Sequence, residues 1–394
     1  MAESRYENRN RSWSRIDGVD CLRALAIFYV LLNHIHMRLQ SAHLPYTAGL
    51  PHQLVNSLVW QGQAGVQIFF AVSGFLITST TIKRWGTLDK VRPLDFYLIR
   101  FARIAPLLLT LLAVLSLLHA IHLKHFIVSD EQGGLGNALF AALTLHVGLL
   151  EATKGYLPAN WDILWSLSVE EMFYLFFPLF CWLLGRGKGL VLFLSIFVMI
   201  GPFARTTLAN GNAVWKEYSY LGGMDAIALG CLTALIVARR PLSRKLTLTL
   251  VGFGLTLLVF CLCLERQVAQ IGLERTGLGM SILAVGACML IAAAAESRWL
   301  APRILRPWLT CGRRSYEVYL THMFVVFAFC DVFVAAGKPL LLVPVLFIVV
   351  IVLSGFLGEL VARFYSEPAS HWLRVHFGDE PEILGSVYPE DRPH

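Results

Sequence analysis

An arginine and a histidine, Arg23 and His34, lie eleven residues apart in the first apolar segment of the chain. If that segment is an α-helix, the two side chains fall within about 20° of one face and about 16 Å apart along the axis. A guanidinium binds phosphate, and an imidazole takes up and releases protons near neutral pH. The spacing predicts one helix face that joins an anion-binding cation to a base. In the structural alternative, Arg23 extends to lipid headgroups and His34 hydrogen-bonds a neighbouring helix.

Another apolar segment carries Ser166, Glu170 and Tyr174 at intervals of four residues, which places them on one helix face. If this segment crosses a membrane in the direction opposite to the first, Glu170 reaches a depth similar to that of His34. A carboxylate beside an imidazole orients and charges it, so we expect His34 to act as a general base supported by Glu170. A purely structural hydrogen bond between the two is the alternative.

Further arginines lie at the ends of other apolar segments. Arg100 and Arg103 are three residues apart, and Arg313 and Arg314 precede a later segment. Two guanidiniums on one helix face suit a phosphate group. Together with Arg23 these arginines are candidates for binding a phosphorylated ligand, and anchoring at the inner membrane surface is the alternative.

Four polar side chains within apolar segments are candidates for hydrogen bonds to a substrate or to a developing oxyanion: Ser73, Tyr174, Tyr319 and His322. Ser73 is followed by Gly74, and a small Ser-Gly pair within a membrane is more typical of close helix packing.

The composition indicates that these polar residues lie in a membrane protein. Of the 394 residues, 56% are hydrophobic and 15% are charged, and the mean hydropathy is +0.62, which excludes a soluble globular protein. The net charge of +7 is spread over short clusters between apolar runs, which indicates membrane topology and anionic lipid contact rather than a nucleic-acid partner. The eight cysteines include no paired Cys-x-x-Cys, so we expect small hydrophobic side chains and no metal site.

The apolar runs predict an all-α, polytopic transmembrane helix bundle with about ten spans. The expected spans are Val19 to Met37, Val66 to Ile82, Leu98 to Ile121, Ile163 to Leu184, Leu190 to Ala204, Leu221 to Ala238, Leu246 to Leu264, Gly277 to Ala295, Val318 to Ala336 and Leu340 to Ala362. An eleventh run, Gly136 to Leu150, is shorter than the roughly 20 residues that a span needs.

Charge decides the expected orientation. With ten spans, both termini and the basic clusters at 83–92, 186–188, 239–245 and 298–314 lie on the cytoplasmic side, as the positive-inside rule prefers. Residues 122–161 then form an outer loop that holds a re-entrant or interfacial helix. We expect one membrane domain, residues 18–368, between cytoplasmic tails at 1–17 and 369–394.

Taken in order and at their spacing, these pieces resemble the acyltransferase 3 family of membrane-bound O-acyltransferases from Ile16 to Pro368. The matching motifs are Arg-x10-His at Arg23 and His34, Phe-Phe-x-x-Ser-Gly-Phe at Phe69 to Phe75, Arg-x-x-Arg at Arg100 and Arg103, Trp-Ser-Leu-Ser-Val-Glu at Trp165 to Glu170 with Tyr174, Tyr-x-x-Tyr-Leu-x-His at Tyr316 to His322, and Glu367-Pro368. The family often has Asp-Gly-Leu-Arg where this chain has Asp20-Cys21-Leu22-Arg23, a departure that leaves the key side chains in place.

The resemblance implies transfer of an acyl group, commonly acetyl from acetyl-CoA, to a hydroxyl of a sugar or glycoconjugate. The family's essential arginine and histidine correspond to Arg23 and His34. It further implies a multi-pass protein of the cell inner membrane, with acyl-CoA as a cytoplasmic donor substrate, no tightly bound cofactor and a sugar-containing acceptor outside. Both direct transfer of the acyl group and transfer through a transient acyl-histidine are compatible with this reaction. A homo-oligomer is compatible with it as well. We expect a standalone member, without the SGNH hydrolase-like domain of some relatives. The main rival class is a transporter or flippase for a glycolipid or polyol, since a polar line across a membrane suits that function as well. A third class is a non-catalytic membrane sensor.

Overall fold

The computed structural model describes residues 16–297, 299–337 and 339–377. The expectations for Arg298, for the first fifteen residues and for the end of the C-terminal tail lie outside these ranges. Within them the chain is helical and contains no β-strand, which confirms the predicted all-α, polytopic bundle.

The helices follow the apolar runs closely, because segments long enough to cross hydrocarbon must satisfy their backbone groups internally. In chain order they are α1 (Asp17–Ser41), α2 (His52–Val59), α3 (Gly62–Trp85), α4 (Pro93–Ala120), α5 (Gly134–Leu143), α6 (Val147–Lys154), α7 (Ala159–Asp162), α8 (Leu164–Leu184), α9 (Gly189–Ala204), α10 (Ala213–Tyr218), α11 (Tyr220–Arg239), α12 (Arg244–Cys263), α13 (Glu265–Gln270), α14 (Leu278–Ser297), α15 (Arg306–Arg313), α16 (Ser315–Ala335), α17 (Val343–Val361) and α18 (Glu367–Phe377). A π-helical turn, Ala362–Ser366, joins α17 to α18.

Nine helical stretches within the described ranges are long and apolar enough to cross a membrane. They correspond to nine of the ten expected spans. The tenth, predicted at Leu190 to Ala204, is the 16-residue helix α9, whose length of about 24 Å is less than the hydrocarbon thickness of about 30 Å. The side of the membrane reached after α9 therefore depends on this short helix, and the orientation of the termini stays a prediction.

The expected helix of the outer loop is divided into two, α5 and α6. The division falls at Leu145, whose φ of 63° lies in the left-handed region and ends the helix. The Leu145 carbonyl accepts a hydrogen bond of 2.5 Å from the Tyr220 hydroxyl, so the break is held against α11.

The closest helix crossing in the centre of the bundle joins α3 to α11 through two glycines. A Cβ atom at Gly74 would lie 1.9 Å from the Ile227 carbonyl oxygen, and one at Gly230 would lie 2.0 Å from the Ala71 carbonyl oxygen. Only glycine permits this approach, so the close packing predicted from Ser73 and Gly74 is confirmed. The crossing fixes the face of α3 that carries Ser73.

A buried ion pair connects α11 to the end of α9. Asp225 is fully buried, and its carboxylate accepts hydrogen bonds from Arg205 Nη2 at 2.7 Å, Ser281 Oγ at 2.5 Å and Gln67 Nε2 at 2.9 Å. Arg205 also donates to the carbonyl oxygens of Gly222 and Gly277. Each charge is paired and hydrogen-bonded, which is the condition for keeping such a pair away from water.

Replacing Arg205 with Leu should lower the thermal unfolding temperature of the purified protein markedly, because Asp225 would keep a buried charge without its partner. Breaking such a pair costs about 3 to 5 kcal/mol. The matched control is Arg186→Leu, since the Arg186 side chain is 89% exposed in its pair with Asp89. Thermal unfolding in detergent measures both, and equal unfolding temperatures for the two variants would contradict a stabilising role of the buried pair.

Candidate active site

The expected polar face of α1 is present, with Arg23 near its beginning and His34 in its second half. The Arg23 guanidinium donates to the Ser315 hydroxyl from Nε at 3.2 Å and from Nη2 at 3.0 Å. Nη2 also lies 3.4 Å from the Arg313 carbonyl oxygen, and Nη1 lies 3.6 Å from the Asp20 carboxylate. Arg23 is thus anchored where α15 ends and α16 begins.

Side chains from α3, α4 and α8 form what we call the Glu170 cluster: Ser73, Arg100, Glu170, Glu171 and Tyr174. The Ser73 hydroxyl donates to Glu170 Oε1 at 2.9 Å. Arg100 Nη2 donates to Glu171 Oε1 at 2.9 Å, and its guanidinium carbon lies 3.9 Å from the centre of the Tyr174 ring. Glu170 and Tyr174 share this cluster because they are four residues apart on α8, as predicted.

A second group, the histidine cluster, comprises His34, Ser166, Tyr319 and His322. The ring centres of His34 and His322 are 5.1 Å apart, with the planes inclined at 50°. The Tyr319 hydroxyl donates to the Ile163 carbonyl oxygen at 2.9 Å and lies 2.7 Å from the Ser166 hydroxyl. These contacts fix α16 against the start of α8.

The two clusters separate residues that we expected to meet. Glu170 accepts its hydrogen bond from Ser73, whereas the ring beside His34 is that of His322. No hydrogen bond between His34 and Glu170 occurs in the described part of the chain. Counting residues along two antiparallel helices predicts similar depth but does not predict which helices are neighbours, and α1 packs mainly against α3, α15 and α16. The cooperation of His34 with Glu170 stays a prediction.

Comparison with known protein families identifies the family to which this domain belongs. A family model described as an acyltransferase domain matches residues 16–359, which include every residue of both clusters. The chain belongs to the acyltransferase 3 family.

Curated relatives share this domain. The O-acetyltransferase OatA of Staphylococcus aureus (strain NCTC 8325 / PS 47) is 24% identical over 366 residues, which cover 90% of this chain and 57% of the relative. The peptidoglycan O-acetyltransferase OatA of Listeria monocytogenes is 25% identical over 345 residues, covering 80% of this chain and 50% of the relative. The chain thus spans 50% to 57% of the length of these relatives. No solved structure matches it.

Within this acyltransferase 3 chain, the five candidate arginines differ in their partners. Arg100 is paired with Glu171, and Arg314 lies between Glu359 at 2.8 Å and Glu367. Arg313 donates to the Leu309 carbonyl oxygen and to the Thr310 hydroxyl. Arg103 is exposed and has no carboxylate partner within 4 Å in the described ranges. Arg103 is therefore the most available cation for a phosphorylated ligand, with the anchored Arg23 near enough to influence it electrostatically.

One constellation near the histidine cluster was not predicted. His125, in the loop after α4, lies 2.9 Å from Asp331 Oδ2 and 2.6 Å from Arg38 Nη2, and its ring stacks on Phe327 with centres 4.9 Å apart. Arg38 follows His34 by one helical turn. Burial lowers the pKa of His125, the Arg38 guanidinium acts in the same direction, and the hydrogen bond with Asp331 opposes both. We call these four residues the loop latch, since they join the loop to the helices that carry His34 and His322.

No three His, Cys, Asp or Glu side chains of the described residues are grouped closely enough to hold a metal ion. Proton transfer is the chemistry that the histidine cluster offers, and anion binding is the chemistry that Arg23 and Arg103 offer.

Arg100 and Arg103 were predicted as an equivalent pair, and their surroundings imply different results on mutation. Arg100→Ala should lower the free energy of unfolding by about 3 kcal/mol, because Glu171 loses its partner and Tyr174 its stacked cation. Arg103→Ala should change it by less than about 0.5 kcal/mol, as is usual at an exposed position. Denaturant or thermal unfolding in one detergent compares them, and similar losses of stability would show that Arg100 is not structurally paired.

Proposed function

We propose that this protein transfers an acyl group, most simply acetyl, from acyl-CoA on the cytoplasmic side of the cell inner membrane to a hydroxyl of a surface glycan on the other side. The observation that carries the proposal is the position of Arg23 and His34 on one face of a single membrane-crossing helix. Membership of the acyltransferase 3 family supports the reaction class. The printed names of the relatives, O-acetyltransferase and peptidoglycan O-acetyltransferase, support acetyl as the group and a glycan as the acceptor.

The donor site is proposed around Arg23 and Arg103, where exposed and half-buried guanidiniums attract the phosphates of CoA. Arg313, whose backbone carbonyl oxygen contacts the Arg23 guanidinium, is proposed as a third cation. Arg100 and Arg314 shape the same region through their carboxylate partners. The helix face from Arg23 to His34 is about 16 Å long, a distance that an extended pantetheine arm covers in order of magnitude.

The transfer step begins at His34. A neutral ring nitrogen takes the proton of the acceptor hydroxyl as its oxygen attacks the thioester carbonyl carbon. The carbon–sulfur bond then breaks, and the sulfur takes the proton from the imidazolium, which yields an ester and the CoA thiol. Ser73, Tyr174 and Tyr319 are proposed as groups that hydrogen-bond the acyl oxygen or the acceptor.

Glu170 supports this step electrostatically in the proposal. The carboxylate acts on His34 without direct contact, because charges interact over longer distances where water is scarce. A negative charge there stabilises the imidazolium that forms on His34. The hydrogen bond from Ser73 keeps the carboxylate in place.

Donor binding gives a direct test. Arg103→Ala and Arg23→Ala should each weaken CoA binding about tenfold, since one charge-assisted contact to phosphate contributes about 1.5 kcal/mol. The remaining affinity should depend less on salt, because fewer exposed charges attract the phosphates. Titration calorimetry with CoA at two salt concentrations measures this, and Arg186→Ala is the matched control. Wild-type affinity in both variants would place the donor site elsewhere.

The activity test uses membrane vesicles and radiolabelled acetyl-CoA. Inverted vesicles, which expose the cytoplasmic face, should consume acetyl-CoA and form alkali-labile acetyl esters on glycan, whereas sealed right-side-out vesicles should not. Consumption in both kinds of vesicle would contradict the proposed sidedness. A transporter or flippase would consume none in either.

In the same assay, His34→Ala and Glu170→Gln should each lower turnover by about 100-fold or more, the range for lost general-base catalysis. CoA binding should remain near normal in both. The double variant should be little worse than the worse single variant, as is usual for residues that act as a unit. Multiplicative losses would argue against cooperation, and normal turnover in His34→Ala would refute the mechanism.

A further inference from the structure

We propose that His322 is the positioning residue for His34: its Nε2 accepts a hydrogen bond from one His34 nitrogen and so leaves the lone pair of the other nitrogen facing the acceptor hydroxyl. The inference deepens the proposed function and rests on it. It assigns to His322 the orienting role that the sequence suggested for Glu170.

The first step is the tautomer of His322. Its Nδ1 lies 2.6 Å from the Tyr319 carbonyl oxygen and 3.2 Å from the Val318 carbonyl oxygen. Carbonyl oxygens only accept hydrogen bonds, so Nδ1 carries the hydrogen. In a neutral imidazole the other nitrogen is then an acceptor. His322 therefore presents a bare lone pair at Nε2.

The second step is that this lone pair has no partner. His322 is 0% exposed, and its Nε2 makes no hydrogen bond with any described residue. A buried acceptor left unpaired costs about 1 to 3 kcal/mol. The Nε2 atom of His322 is therefore able to accept a hydrogen bond from a neighbouring side chain, and the ring next to it is that of His34.

The third step is the distance to His34. A linear N–H···N hydrogen bond of about 2.9 Å between two imidazoles places their ring centres about 5 Å apart. The observed separation is 5.1 Å. The ring centres thus have the separation of a hydrogen-bonded pair. In the proposal, a change in the His34 side-chain angles aligns the two nitrogen atoms when the substrate binds. Catalytic hydrogen bonds are often poorly aligned before the substrate binds.

His34 is free to make that bond, because neither of its ring nitrogens hydrogen-bonds a described protein group. His322 is held rigidly, because the carbonyl group that fixes its Nδ1 belongs to Tyr319, whose hydroxyl is itself bound to Ile163. A fixed acceptor that orients a movable imidazole is the usual way in which a protein selects one tautomer of a reactive histidine.

The proton balance is unchanged by this assignment. The acceptor hydroxyl gives its proton to His34, and His34 gives it to the departing sulfur. His322 neither gains nor loses a proton, and its lone pair stabilises the positive charge that His34 carries between the two transfers.

Two substitutions separate this role from a structural one. His322→Asn keeps an amide where Nδ1 donates to Tyr319 but removes the acceptor at Nε2. His322→Gln extends an amide towards the Nε2 position and can still accept from His34. We expect His322→Asn to lower kcat about 100-fold with KM for acetyl-CoA nearly unchanged, and His322→Gln to keep at least tenfold more kcat than His322→Asn. A purely structural role would reverse that order.

The matched control is His36→Asn. His36, on α1, is buried like His322. Its Nδ1 lies 2.6 Å from the Tyr46 hydroxyl, and its Nε2 is buried without a partner among the described residues. It lies outside both clusters, so its replacement should leave kcat near the wild-type value. If His322→Asn has the same kcat as His36→Asn while His34→Ala is inactive, the inference is wrong and the proposed function stands.

A second measurement does not depend on turnover. In protein labelled with 15N-histidine, the His34 signals, assigned by their loss in His34→Ala, should show one tautomer in the wild type and a mixture in His322→Asn. The same tautomer in both would overturn the role of His322 even in an active enzyme. If the wild-type protein consumes no acetyl-CoA, that result would instead contradict the proposed function on which the inference rests.

Discussion

The absence of water from the hydrocarbon core is the constraint on which the rest of this structure depends. Every polar group placed there must find a partner within the protein, at a depth set by its position along a helix. Asp225 meets that requirement through Arg205, Ser281 and Gln67, and Glu171 meets it through Arg100. Groups that satisfy one another hold helices together. The Nε2 of His322 makes no such hydrogen bond with a described residue, and it is the atom that we propose to accept one from His34.

The polar residues of the domain are thus of two kinds: those paired with one another and those that remain available to bind another group. The side chains of the Glu170 cluster contact one another, so they hold α3, α4 and α8 together. The histidine cluster combines rigid donors and acceptors on α8 and α16 with a movable ring on α1. The arginines divide in the same way, since Arg314 is held between two carboxylates and Arg103 is exposed. Residue type alone would have given all of them the same role.

Much of the fold was predictable because length and apolar character dominate helix formation in a membrane. The spans, the close crossing at Gly74 and the shared face of Glu170 and Tyr174 all follow from position along one helix. The neighbour of His34 was not predictable in that way, because it depends on the rotation and pairing of separate helices. The loop latch was still less predictable, since it depends on the path of a loop and on the φ of 75° at His125, which no local sequence pattern indicates.

The pair formed by Arg205 and Asp225 has a consequence for the order in which the chain is assembled. Arg205 ends a helix of 16 residues, which is too short to be held firmly in hydrocarbon by its apolar length alone. The partners of the arginine, Asp225 and Ser281, are synthesised later. During translation α9 therefore has a charged end without its partner until α11 emerges. The contact among α3, α9, α11 and α14 is complete only when α14 follows. The centre of the bundle becomes fixed late, after more than two thirds of the chain has been made.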